Sequence, residues 1–266
     1  MSMVKLVMSV PSLSILVAED NRVNQLYIKT LLGKEGHTVT LAGNGHEVCR
    51  LYKSGTYDLI LMDIKMPDMD GLEAASRIRQ YEKEKHLDLV PIFVISAYDD
   101  LKPLSILPEA EIDLFLTKPL DAEIIRTAIL KKFSSSGRKV RVKRRGWNWN
   151  SSQDYQKHLL TEYAGDEETL RSMIKMALKE IPGKINAMEH LIGQKNTSFA
   201  MREAHSLANI VSALHRSSEC DTAIEIEERI RLGDWKSAAS GISDLRKALD
   251  SLSRTLRNLL SGTLSK

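Results

Sequence analysis

Short apolar runs alternate with longer stretches that repeat an apolar residue every three or four positions over the first half of the chain. The runs are Leu13-Ser14-Ile15-Leu16-Val17-Ala18, His37-Thr38-Val39-Thr40-Leu41, Leu59-Ile60-Leu61-Met62, Ile92-Phe93-Val94-Ile95 and Leu114-Phe115-Leu116-Thr117. Runs this short and this apolar read as strands covered on both faces. Between them, Val23, Leu26, Tyr27, Leu31 and Leu32 stand near helical spacing over residues 23–34, closed by Gly33 and Gly36, and further helices fit residues 45–53, 71–81 and 121–132. Strands alternating with helices predict an α/β unit, a doubly wound five-stranded parallel sheet. One interval resists: Pro103 and Pro108 interrupt residues 99–111, where the pattern calls for a fourth helix.

From residue 154 the strand signals stop. Helical segments are read at 155–163, 167–192, 197–214, 219–232 and 234–260, with Asp166 and Asp234 as N-caps and Gly193 and Gly233 at helix ends. Pro182 is expected to kink or break the second of them. Long periodic helices joined by short turns predict an all-α, antiparallel four-helix bundle.

The strand ends carry the candidate chemistry. Asp63 closes the third run, Glu19 and Asp20 follow the first, Ser96 ends the fourth, and Lys118-Pro119 follows the fifth. Open α/β sheets place their sites at the carboxyl ends of strands, so three acids and one lysine converge on one edge. A carboxylate that accepts a phosphoryl group meets a donor already bearing negative charge, and needs fixed positive charge beside it. Glu19, Asp20 and Asp63 offer the hard oxygen ligands that Mg2+ prefers, Lys118 is a point charge for phosphoryl oxygens, and Ser96 can hydrogen-bond one of them.

The stretches "ILVAEDNRVNQ", "LILMDIKMPDMDGLEAASRIR", "PIFVISAY" and "FLTKPL" resemble, in order and spacing, the receiver domain of two-component signalling, over residues 12–133. The resemblance implies phosphorylation at Asp63, Mg2+ held by Glu19, Asp20, Asp63 and Lys65, switch positions at Ser96 and Phe115, and a cis peptide at Lys118-Pro119. The glycine that the family usually carries before the fifth strand is Glu111 here.

In residues 197–214, Leu207, Ile210, Val211 and Leu214 define the apolar stripe, and His205 projects about 160° from Leu207 at about 100° per residue, toward solvent. Its neighbours on that face include Arg202, Ala208, Asn209 and Ser212, a patch on which a phosphoaspartate could dock in line. "EAHSLANIVSAL" within this helical pattern is similar to a histidine phosphotransfer domain, over residues 154–262. Such domains usually carry lysine three residues after the histidine and glycine four after it; Ala208 and Asn209 stand there instead. Arg202 is the candidate to replace the missing charge. His158, His190 and His215 lack the motif and read as surface or boundary residues.

Together the two resemblances imply a phosphorelay: a histidine kinase or other phosphodonor loads Asp63, Asp63 exchanges the group with His205, and His205 delivers it to a further receiver. The arrangement resembles the C-terminal part of a hybrid histidine kinase. The alternative is phosphorylation at Asp63 alone, with a degenerate bundle serving as a phosphorylation-gated interaction module. No Walker-type loop and no kinase ATP-binding boxes are present in the chain, so the phosphoryl group comes from elsewhere.

Composition changes this picture little. The formal net charge of +3 arises in residues 134–153, a basic linker whose six Lys and Arg stand without an acid beside Trp147 and Trp149. A nucleic-acid role for this patch ranks below that of an interdomain tether, since no DNA-binding motif accompanies it. Cys49 and Cys220 lie far apart, which supports neither a disulfide framework nor a zinc site and suits a reducing, cytoplasmic setting. Residues 1–10 are apolar but too short to span a bilayer, and no membrane segment is expected.

Overall fold

The computed structural model describes residues 11–96, 111–118, 122–133, 152–163 and 166–261. The expectations for the interrupted helix, the Lys118-Pro119 peptide, the basic linker with its tryptophans and the first ten residues lie outside them.

Strands β1 (Ser14–Ala18), β2 (Thr38–Ala42), β3 (Leu59–Asp63), β4 (Ile92–Ser96) and β5 (Leu114–Thr117) form one parallel sheet in the order β2-β1-β3-β4-β5. Every residue of β3 and β4 is buried. Alternate side chains go to opposite faces: Ile15, Val17, Leu59, Leu61, Phe93 and Ile95 join one core, and Leu16, Ala18, Ile60, Met62, Ile92 and Val94 the other. Helices α1 (Arg22–Lys34) and α4 (Ala122–Phe133) contribute to the first core, α2 (Gly45–Ser54) and α3 (Gly71–Lys85) to the second. The expected doubly wound sheet is therefore present. Glu111 adopts φ 40, a left-handed conformation that suits glycine, which accounts for the residue type usual at this position.

The helical part consists of α5 (Ser152–Glu162), α6 (Glu167–Gly193), α7 (Thr197–Ala213), α8 (Ser217–Arg231) and α9 (Trp235–Ser261). Helix α6 packs on α7 and α9, and α8 packs on the same two, which closes a four-helix bundle with α5 against α6. Asp166 Oδ1 accepts from Thr169 N at 3.0 Å and Asp234 Oδ1 from Ser237 N at 3.1 Å, so both expected N-caps form. Gly233, at φ 75, ends α8. Helix α6 runs through Pro182 without the expected break, because the proline lies on the exposed face while Ile181, Ile185 and Met188 anchor both sides of it. Each such buried aliphatic side chain contributes about 1.5–3 kcal/mol.

The two parts share a core. The sheet face under α1 continues through Tyr27 and Leu31 into Tyr163, Ala204 and Leu214 of the bundle, and α1 packs directly on α6 and α7.

Candidate functional site

The chain reverses its winding between β1 and β3, the place where such sheets open a crevice. With Ala18 opposite Met62, β1 brings Glu19 and Asp20 to the edge where β3 ends in Asp63. One carboxylate oxygen from each of the three lies within 4.8 Å of the others. Lys118 follows β5, held by its backbone N–H donating to Ser96 O at 2.7 Å, and its Nζ lies 2.6 Å from Asp63 Oδ2 and 3.5 Å from Glu19 Oε2. Lys65 N donates to Asp63 Oδ1 at 3.3 Å. Gly71 opens α3 so close beneath Asp63 that a Cβ there would stand 2.0 Å from the Asp63 carbonyl oxygen.

The sequence points His205 at solvent, and the structure corrects this: His205 is 5% exposed. The helical geometry is right, since the ring does turn away from the bundle's own stripe. The opposite face is covered by the α/β unit instead, and every residue from Ala204 to Ala213 is buried. His205 Nε2 thereby comes to 4.0 Å from Asp63 Oδ2. On the far side of the ring, Nδ1 lies 3.3 Å from Glu227 Oε2, and Glu227 Oε1 accepts from Lys65 Nζ. Asn209, one turn on, sends Oδ1 to Lys118 Nζ at 2.7 Å and donates from Nδ2 to Glu19 Oε1 at 3.4 Å. Around this contact Tyr27 lays its ring 5.6 Å from those of Tyr163 and His215, and Lys34 Nζ donates to Tyr163 O.

Charge is unbalanced in this cradle. Burial pushes Glu19 up to about 8, reinforced by Asp63 and Asp20 against the pull of Lys118, and burial followed by Asp63 raises Asp20. Burial also opposes the Asp63 carboxylate, but Lys118 and His205 outweigh it and hold the group well below the usual range. His205 is raised to about 9: burial disfavours its charge, while Asp63 and Glu227 favour it more. A divalent cation fits such a site, since Asp20 Oδ1 is buried without a hydrogen-bond partner among the described residues and all three acids offer hard oxygen donors.

Residues 15–130 match the family described as response regulator receiver domain. This segment is a receiver domain. It places the chain in two-component signal transduction. The chain is 27% identical over 219 residues to the aerobic respiration control sensor protein ArcB of Escherichia coli (strain K12), with 75% of this chain and 26% of that protein covered. It is 28% identical over 211 residues to the signal transduction histidine-protein kinase BarA of the same strain, covering 77% and 22%. Both alignments continue past the receiver domain into the helical part, and the chain spans about a quarter of the length of these relatives. A solved receiver domain, that of sensor histidine kinase PA1611 from Pseudomonas aeruginosa PAO1 with magnesium ion coordinated in the active site cleft, is 31% identical. The match covers 47% of this chain and 99% of that one, at a TM-score of 0.42.

Around the receiver domain's edge the structure gathers Glu19, Asp20, Asp63, Lys118 and, across the interface, His205 and Asn209. Ser96 is buried at the end of β4, whereas the Phe115 side chain is 38% exposed. Lys65, expected in the metal set, turns its ammonium to Glu227, which leaves only its backbone to serve a cation. Arg202 lays its guanidinium 4.9 Å from the Phe199 ring, while Lys118 meets Asp63 and Lys65 meets Glu227. Ala208 is buried, and Ser212 lines a small cavity with Asn24, Tyr27, Ile28 and Lys118. His215, read as a boundary residue, is 2% exposed and sits in the interface. Sequence reasoning missed Glu227. Its signal is an acid beside the apolar stripe of Cys220, Ala223, Ile226 and Ile230 on α8.

Proposed function

We propose that the chain is a phosphorelay intermediate in which Asp63 accepts a phosphoryl group from a partner phosphohistidine and exchanges it with His205 for delivery to a further receiver. The observation that carries this reading is the 4.0 Å approach of His205 Nε2 to Asp63 Oδ2 with Nδ1 facing Glu227. Loading removes the Asp63 carboxylate charge that favours a protonated ring, so Nε2 gives its proton to solvent; its lone pair then attacks phosphorus, the bond from phosphorus to the Asp63 oxygen breaks, and the carboxylate leaves with that electron pair. The remaining ring proton stays on Nδ1, where Glu227 orients it and stabilises the positive charge that the ring acquires. Lys118 holds a phosphoryl oxygen during the displacement, and the buried interface excludes the water that would otherwise hydrolyse the acyl phosphate. Glu19, Asp20 and Asp63, with the Lys65 backbone, would hold Mg2+, which when bound neutralises charge on the phosphoryl oxygens.

The donor is a histidine kinase or a similar phosphohistidine protein, and the setting is cytoplasmic, in keeping with the two free cysteines. No helix among the described residues is long and apolar enough to cross a membrane. The test is peptide-resolved mass spectrometry after loading with Mg2+ and a phosphodonor. Wild type should carry phosphate at Asp63 and His205, Asp63→Asn at neither, and His205→Gln at Asp63 alone. Phosphate confined to Asp63 in wild type would favour the reading of the bundle as a gated interaction module.

A further inference from the structure

Asn209 stands where the phosphotransfer resemblance calls for glycine, and its amide does two things that glycine cannot. Its Oδ1 accepts from Lys118 Nζ at 2.7 Å, and its Nδ2 donates to Glu19 Oε1 at 3.4 Å. Lys118 is the group that must hold a phosphoryl oxygen once Asp63 is loaded, and Asn209 Oδ1 already takes one of the three N–H donors of its ammonium, Asp63 Oδ2 taking another at 2.6 Å. The polarity matches on both sides, with a carbonyl on the ammonium and an amide N–H on the carboxylate. Asn209 is 1% exposed, Glu19 1% and Asp63 0%, so the Asn209 amide and the carboxylates beside it are buried together.

We propose that Asn209 is a resting-state plug: it fills the phosphoryl cradle of the receiver domain and holds the site closed against any donor other than His205. The proposal rests on the relay reading for the roles of Lys118 and His205. Loading from outside then requires the bundle to swing away and break both Asn209 bonds. The loaded Asp63 competes with Asn209 for Lys118 when the bundle returns. Glycine at this position would leave the cradle vacant in the docked state, and the receiver domain would lack this means of refusing outside donors.

The experiment measures the initial rate of Asp63 labelling in the full chain with Mg2+ and acetyl phosphate, by intact-protein mass spectrometry. In this reaction the Asp63 carboxylate attacks phosphorus, the acyl oxygen–phosphorus bond breaks and acetate departs. All chains carry His205→Gln so that the label remains on Asp63, and Asn209 is compared with Asn209→Ala and Asn209→Ser. Neither replacement reaches Lys118, and alanine favours the helix, so at least one variant remains folded for the comparison. The expected result is labelling faster by on the order of tenfold in both variants, the worth of one hydrogen bond to a charged partner. An unchanged or slower rate in the folded variants overturns the plug. Failure of the relay is read separately, as absence of label on His205 in chains that retain it.

Discussion

At the scale of single residues, the site depends on a close approach of the backbone to itself. Gly71 lets α3 start directly under Asp63, and the space is so small that any side chain must displace the Asp63 peptide or the helix. Gly71→Ala should therefore cost about 1–3 kcal/mol of stability and slow Asp63 labelling, measured by thermal unfolding alongside the rate from acetyl phosphate. A stable variant with normal labelling would show that the approach is not strained. Asp63, Glu19, Asp20 and Lys118 were legible in the sequence because each ends or follows an apolar run, and strand ends are fixed by where the run stops. Glu227 and the contacts of Asn209 were not, since their partners Lys65 and Glu19 each lie more than 150 residues away, across the interface.

At the scale of elements, helix α7 was read correctly in extent and in the direction of His205, yet wrongly in exposure. Periodicity reports which face of a helix meets its own bundle and says nothing of a second body docked on the other face. The same limit hid His215, which ends α7 at φ 53 and packs its ring against Tyr27 of α1 and, at 3.2 Å between Nδ1 and Nε2, against His158. Burial lowers His215 to about 3, with His158 adding to the effect, and burial lowers His158 to about 4. Both folded values lie below the unfolded one near 6.5, so the unfolded chain binds more protons between them. The stability this contributes is present above about pH 6.5 and is lost as the pH falls toward the folded values. His215→Asn, which tolerates the left-handed backbone, should make the decline of Tm between about pH 6.5 and 4.5 shallower by the linkage of about one proton. An identical slope in wild type and variant would remove His215 from the account.

At the scale of the whole molecule, the parallel sheet, the bundle and their succession along the chain followed from the hydrophobic pattern, because strand and helix periods differ. Their docking did not, since the α1 residues that meet the bundle also serve the sheet and carry no separate mark. That docking gives the molecule its central property, Asp63 and His205 facing each other 4.0 Å apart inside one chain. In the proposed relay, transfer between them is intramolecular. The direct measurement is to load Asp63, remove the donor, and follow the label from Asp63 to His205 over a tenfold or wider range of protein concentration. One rate constant at every concentration, with His205 gaining the label that Asp63 loses, is the expected result; no transfer, or a rate that rises in proportion to concentration, would contradict it.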